Sequence, residues 1–166
     1  MRHNSVSSGA AKASHNISTS KTPEVFTIEE IKGLLKTSAS MKKDLEAVIE
    51  LYLLTGIHLS EAVNLQFDDT DFETKTITIP SIGKTVKRRL IPLGLRSIEP
   101  LNYFQQRYEK PVPFGREILQ RSFSKVRQVS GINGSFDSLR KTAYLWYWQE
   151  LIPSSFMEFA FGHSPR

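Results

Sequence analysis

A run of positive charge lies in the middle of the chain. Five cations and no acid fall between positions 84 and 96, namely Lys84, Lys87, Arg88, Arg89 and Arg96. Uncompensated Lys and Arg side chains bind the phosphate backbone of nucleic acids, so this run favours a phosphate-facing surface. The alternative is a solvated edge strand, on which lysines block pairing with other sheets. Farther along, Arg121 and Lys125 lie four residues apart and share one face of a predicted helix.

The composition narrows the class of protein. The 166 residues carry a formal net charge of +5 and a pI of about 9.5, and basic domains of this kind often bind polyanions. Cysteine is absent from the sequence, which excludes disulfides, thiolate metal sites and cysteine nucleophiles and is compatible with the cytosol. No stretch approaches the roughly 18 apolar residues of a membrane span, and we expect no signal peptide.

Helical patterns dominate the sequence. Residues 1–22 contain six serines and no acid, which is typical of a flexible tail or linker, and residues 23–166 are expected to form one domain. A capping box at Thr27 and Glu30 opens a helix that we expect to run to about Lys36. Apolar residues at helical spacing predict further helices. These cover residues 41–54 with Gly56 as C-cap, 59–65, 97–110, 116–130 with Leu119, Phe123, Val126 and Val129 inward, 139–151, and a last helix from Pro153.

Between the helices the pattern changes to that of a β-strand. Residues 76–79 alternate threonine and isoleucine, and residues 86–93 are expected to pair with them through a turn that contains Gly83. Residues 67–72 are a candidate for a short first strand. The sequence therefore predicts an α+β fold, mainly α-helical, with a small antiparallel three-stranded sheet.

Four short motifs occur in order along these elements. They are Thr55-Gly56-Ile57-His58-Leu59-Ser60-Glu61, then Ile82-Gly83-Lys84 followed by Arg89-Leu90-Ile91-Pro92-Leu93-Gly94, then Asp137-Ser138-Leu139-Arg140, and finally Phe161-Gly162-His163-Ser164. Together they resemble the signatures of the tyrosine site-specific recombinases, the phage-integrase family. The resemblance covers residues 24–166 and implies the catalytic-domain fold of that family. It also implies double-stranded DNA as the partner, and neither a metal nor a nucleotide cofactor.

The resemblance implies a transesterification at a DNA phosphodiester. In the family a tyrosine attacks phosphorus, and cationic side chains stabilise the negative charge on the non-bridging oxygens. Transferred position by position, Arg140 would clamp the phosphate with its planar guanidinium. Lys84 would protonate the leaving oxygen as a general acid, and His163 would donate a hydrogen bond to the phosphate. Further cations expected to contact DNA are Lys87, Arg88, Arg89, Arg121, Lys125 and Lys141.

Three departures from the family pattern weaken the expected chemistry. His58 stands where the family has an arginine, and Asp137 stands where it has a histidine. We expect Asp137 to be the N-cap of the helix that follows it, and Lys141 to restore part of the positive charge. The nucleophilic tyrosine of the family comes shortly after the position of His163, and the five tyrosines of this sequence all precede it. The sequence thus predicts a catalytic domain, truncated before the nucleophile, that binds DNA without cleaving it alone.

Two alternatives stay open at the level of sequence. The first is a non-enzymatic DNA-binding or regulatory module that reuses the recombinase fold. The second is an unrelated small helical protein that is basic by chance. Under the recombinase hypothesis the partners are double-stranded DNA and other recombinase protomers, without a membrane. The expected location is the cytoplasm, bound to DNA, in a prokaryote or on a phage, plasmid or other mobile genetic element.

Overall fold

The computed structural model describes residues 25–80 and 88–145. Its elements are α1 (Ile28–Met41), α2 (Lys43–Thr55), α3 (Leu59–Ala62), a 3-10 turn (Phe67–Asp69), β1 (Thr70–Asp71), β2 (Thr76–Ile79), β3 (Arg89–Pro92), α4 (Leu95–Gln105), α5 (Arg116–Ser130) and α6 (Phe136–Ala143). The predicted α+β class with a three-stranded antiparallel sheet is confirmed. The predictions for the tail, for the hairpin turn and for the last helix fall on residues outside those described.

Helix α2 is the centre of the helical core. It packs against α1, α4 and α6, which explains why apolar residues occupy most of its length. The side chains expected to face inward are all buried, namely Leu45, Val48, Ile49, Tyr52 and Leu53. The helix ends at Gly56, whose φ of 60° lies in the left-handed region and confirms the predicted C-cap. Within the described ranges, none of the helices has the length and apolar character that a membrane crossing requires.

Helix α1 begins as predicted but ends later. The Thr27 hydroxyl accepts a hydrogen bond from the Glu30 amide at 3.2 Å, and the Glu30 carboxylate accepts one from the Thr27 amide at 2.8 Å. This capping box fixes the first turn. The prediction that the helix ends near Lys36 is wrong, since it continues to Met41. Residues 37–41 contain neither glycine nor proline to stop it.

The sheet has the strand order β1-β2-β3, and both pairings are antiparallel. Ile77 lies opposite Ile91, and both side chains are buried together with Ile79, so one face of the sheet packs on the core. The short first strand is confirmed as β1, which pairs only two residues with β2. The sheet thus carries the start of β3 toward the helical core, where Arg89 is the first residue of the strand.

Several helix boundaries and one core assignment differ from the predictions. Helix α3 ends at Ala62 rather than near 65, because the following amides bond three residues back, as in Leu65 to Ala62 at 3.2 Å, and tighten the chain into turns. Helix α4 begins two residues earlier than predicted and ends at Gln105 instead of 110. Helix α5 has the predicted bounds. Val129 on α5 is 64% exposed and not core, because it lies about 60° beyond Val126 around the helix.

Candidate functional site

A cavity of about 410 Å³ opens between the turn after α2, helix α5 and the start of α6. Its lining includes His58, Asp137 and Arg140, so the structure brings together three positions from two of the sequence motifs. Helix α5 contributes two further cations, Arg116 and Arg127. We call this cavity, with its ionisable residues His58, Arg116, Arg127, Asp137 and Arg140, the basic cleft. The remaining lining residues are Ile57, Leu59, Gln120, Phe123, Ser135 and Phe136.

Arg140 is the buried cation of the basic cleft. Its side chain sits on α6 with the residue only 5% exposed, and Nη1 donates a hydrogen bond to the Gly56 carbonyl at 2.5 Å. This bond ties α6 to the glycine turn at the end of α2. Burial, and then the nearby charge of Arg89, lowers the pKa of Arg140 to about 10. The side chain is therefore cationic at neutral pH, and an anion in the cleft would offset the cost of its burial.

A buried ion pair supports the cleft from behind. Nη1 and Nη2 of Arg89 donate to the two carboxylate oxygens of Glu61 at 2.5 and 2.6 Å, and both residues are almost fully buried. Burial raises the pKa of Glu61, but the bonds and charge of Arg89 and the His58 amide outweigh it and hold that pKa below its usual range. Arg89 was among the cations expected to contact DNA, but its guanidinium is buried and engaged by Glu61 inside the protein.

His58 is placed by the backbone that surrounds it. It is the N-cap residue of α3, and its amide donates to the Glu61 carboxylate at 2.9 Å. Gly56, two residues earlier, supplies the sharp turn that brings position 58 to the cleft. The side chain is half-buried and lines the cavity. At this position an imidazole can offer a hydrogen bond to a phosphate, but it lacks the permanent planar charge of an arginine.

Asp137 is the second residue of α6 and is not its N-cap. Ser135 has that role, because its hydroxyl accepts a hydrogen bond from the Ser138 amide at 3.2 Å, so the predicted capping role of Asp137 is wrong. Asp137 instead occupies the first helical turn, where a negative charge is favoured by the helix dipole. Its carboxylate pairs with Lys141 at 3.2 Å, with both side chains largely exposed. The one carboxylate of the described cleft therefore has its own counter-charge.

Helix α5 supplies cleft residues that the sequence analysis missed. Arg116, Gln120, Phe123 and Arg127 follow one another at helical spacing and line the same cavity. At about 100° per residue they fall on one narrow stripe of the helix. Arg121 and Lys125 are exposed and do not line the cleft; they lie more than about 100° away around the helix. The helical spacing groups the residues of each face, but it does not indicate which face meets the cleft.

The remaining predicted site residues are distributed as follows. Arg88 is exposed immediately before β3, in a position that leaves it accessible to a large polyanion. Lys84, Lys87 and His163 lie outside the described residues, so their roles stay predictions.

Solved structures with this architecture come from recombinases. The catalytic core of lambda integrase matches with a TM-score of 0.72 at 19% identity, covering 86% of this chain and 92% of that one. The XerA recombinase matches with a TM-score of 0.70 at 18% identity, covering 87% and 58% of the two chains. XerH on a palindromic difH substrate gives 0.67 at 20% identity, covering 90% and 49%. These likenesses define the fold as that of a recombinase catalytic domain.

The chain belongs to the phage integrase family, whose family model matches residues 24–165. Among curated relatives, the tyrosine recombinase XerC of Staphylococcus aureus (strain JH9) is 32% identical over 93 residues. That match covers 54% of this chain and 30% of the XerC sequence, so the matched part spans less than a third of that relative's length. The family suggested by the four sequence motifs is confirmed, and an unrelated helical protein is excluded.

Proposed function

We propose that this chain is the DNA-binding catalytic-domain portion of a tyrosine recombinase that acts in DNA recombination and integration, and that the basic cleft holds a phosphate of duplex DNA. The observation that carries the proposal is the position of Arg140, a buried cation that lines a cavity together with two further arginines. Guanidinium groups bind phosphate oxygens through paired hydrogen bonds, which suits them to a phosphodiester.

The charge balance of the cleft supports this proposal. Arg116, Arg127 and Arg140 line it together with a single carboxylate, and that carboxylate is paired with Lys141. The charge of Arg89 behind the cleft is matched by Glu61. The described lining therefore carries an excess of positive charge, and such a surface attracts anions such as the phosphates of DNA.

The partners follow from the relatives. Lambda integrase has been solved as a dimer bound to a COC' core site and as a tetramer bound to a Holliday junction. XerH has been solved on difH in a pre-cleavage complex. For the present chain we accordingly take double-stranded DNA and further recombinase protomers as partners, in the cytoplasm where the DNA is found.

The chemistry at this cleft is expected to be weak. His58 removes one permanent charge from the position where the family has an arginine, and loss of one transition-state donor typically costs about 100- to 1,000-fold in rate. Asp137 places a carboxylate where the family has a histidine. Lys84 as general acid and His163 as phosphate donor would complete the catalytic group. We therefore propose binding with little or no strand cleavage, and the same two departures favour, as a second candidate, a module that binds DNA without any chemistry.

The direct test is a fluorescence anisotropy titration of the protein against labelled duplex DNA at several salt concentrations. We expect affinity to fall steeply with salt, with a slope of about −0.9 per phosphate contacted, and to depend little on sequence. Arg140→Gln should weaken binding to every duplex. Binding that ignores salt, or that is unchanged in the Arg140 variant, would overturn the proposal.

A companion test measures whether any strand cleavage remains. A nicked suicide duplex traps any covalent protein–DNA intermediate, which a denaturing gel then resolves. We expect free protein only. A covalent adduct would show that the cleft is catalytically competent despite His58 and Asp137.

A further inference from the structure

Arg127 differs from the other cations of the basic cleft. It is half-buried on α5, and its guanidinium carbon lies 5.9 Å from the centre of the Phe123 ring. Its Nε is buried and makes no hydrogen bond within the part of the chain that the structure describes. Buried guanidinium nitrogens normally have an acceptor, so Arg127, at the wall of the cavity, has hydrogen-bonding capacity that its described neighbours do not use.

The surroundings of Arg127 also hold it in position. Phe123, one turn earlier on the same stripe of α5, is 2% exposed and belongs to the core. A guanidinium within about 6 Å of an aromatic ring centre is attracted to the ring. The ring of Phe123 therefore favours conformations of Arg127 that keep its guanidinium beside the cavity wall.

We infer that Arg127 is the second phosphate-binding arginine of this protein and takes over, from helix α5, the part that the family pattern gives to an arginine at position 58. The inference rests on the proposed function of the basic cleft. Arg140 and Arg127 would then hold the phosphate from α6 and α5, with His58 as a weaker third donor.

The other nearby cations are less suited to this part. Arg89 is committed to Glu61 by two hydrogen bonds. Lys141 is paired with Asp137. Arg116 lines the cleft but is exposed at the first residue of α5, where solvent and salt screen its charge.

The test is an exchange of arginines measured by DNA binding. Arg127→Gln keeps the length of the side chain and removes the charge, and Arg127→Lys keeps the charge and removes the fork. His58→Arg is combined with Arg127→Gln to return an arginine to the other wall. Arg107→Ala is the matched control, because Arg107 is exposed, stacks on Tyr103 at 4.1 Å and does not line the cleft. Anisotropy is recorded at pH 8, where an ordinary imidazole is neutral, and urea unfolding confirms that each variant folds.

We expect R127Q to weaken duplex binding by about tenfold or more, as for the loss of a charged hydrogen-bond donor, and to lower the salt slope by about one. R127K should fall between R127Q and the wild type. H58R/R127Q should recover most of the affinity, and R107A should bind as the wild type does.

Two outcomes would overturn the inference while leaving the proposed function intact. They are wild-type binding by R127Q when Arg140→Gln is impaired, and failure of H58R to restore binding by R127Q. Absence of salt-dependent binding by the wild type would instead refute the proposed function itself.

Discussion

Glu61 and Arg89 form a doubly hydrogen-bonded ion pair across 28 residues of sequence, at 2.5 and 2.6 Å, with each residue no more than 6% exposed. The pair joins helix α3 to strand β3. Because Glu61 also accepts the amide of His58, the same carboxylate ties the sheet to the turn that carries one wall of the basic cleft. The sheet thus contributes to the site by holding position 58 in place.

Removal of one partner of this pair should be strongly destabilising. We expect Glu61→Ala to lower the free energy of unfolding by about 3–5 kcal/mol, because it leaves the Arg89 charge buried and unpaired. Urea unfolding followed by circular dichroism measures this. The double variant E61L/R89M removes both charges and should recover much of the loss. A double variant as unstable as the sum of the two single changes would contradict the explanation.

The carboxylate of Glu61 should also make the stability of the fold depend on pH in the acid range. The pKa of Glu61 is held below its usual range, and a carboxyl with a lowered folded pKa stabilises the protein fully above its unfolded pKa of about 4.3. That contribution is lost as pH falls through the folded value. We therefore expect the free energy of unfolding to decrease as the pH is lowered below about 4. The decrease should be smaller in E61L/R89M. An equal acid dependence in both proteins would assign the drop to other groups.

The elements of this fold could be predicted from sequence wherever the signal was local. The capping box at Thr27, the glycine end of α2 and the alternation in β2 each act within a few residues, and the structure has them all. The predicted end of helix α1 was wrong because the sequence there has no local stop signal. Helix α1 runs past Lys36 because nothing in the chain stops it there.

The site could be predicted only in part, because burial is not a local property. Arg89 was grouped with exposed cations by its neighbours in sequence, yet it is buried by a partner 28 residues away. Asp137 has the chemistry of an N-cap, but Ser135 two residues earlier took that place. Arg116 and Arg127 share one face of α5, just as Arg121 and Lys125 share another. Which of the two faces meets the cleft depends on how α5 packs, and the sequence of α5 alone does not decide it.

Asp44, in the first turn of α2, is the centre of a hydrogen-bonded cluster whose contribution to stability can be tested. Its carboxylate accepts hydrogen bonds from the Tyr103 and Tyr108 hydroxyls, each at 2.8 Å, and pairs with Lys42 at 2.6 Å. We expect Tyr103→Phe to cost about 1 kcal/mol, the net value of one such bond, and Asp44→Ala to cost more because it removes all the partners together. Chemical denaturation compares them. An equal loss of unfolding free energy in the two variants would contradict a separate contribution from each bond to Asp44.

Gly134 should tolerate no side chain. Its φ is 155°, and a Cβ there would lie 2.1 Å from Cζ of the buried Phe26 ring. We expect Gly134→Ala to lower the free energy of unfolding by about 2–4 kcal/mol through backbone strain and overpacking. Gly115→Ala is the control, since a Cβ at that position meets nothing within 4 Å. Thermal unfolding gives the midpoint temperature of each variant. A Gly134→Ala midpoint equal to that of the wild type would contradict this packing.

The histidine at position 58 should make DNA binding sensitive to pH. An ordinary imidazole gains its charge as pH falls between about 8 and 5, so a phosphate held beside His58 should bind more tightly at pH 5.5 than at pH 8. Among the described lining residues of the basic cleft, the other charged groups are three arginines and Asp137. Arginine side chains keep their charge throughout this range.

His58→Arg should therefore raise affinity for duplex DNA at pH 8 by about tenfold, as expected for one added charged hydrogen bond, and should flatten the pH dependence. His58→Gln retains a hydrogen-bond donor without a titrating group, so it should bind as the wild type does at pH 8 and lose the gain at pH 5.5. The measurement is anisotropy at constant ionic strength. An unchanged pH profile in His58→Gln would assign the titration to a residue elsewhere and remove His58 from the phosphate site.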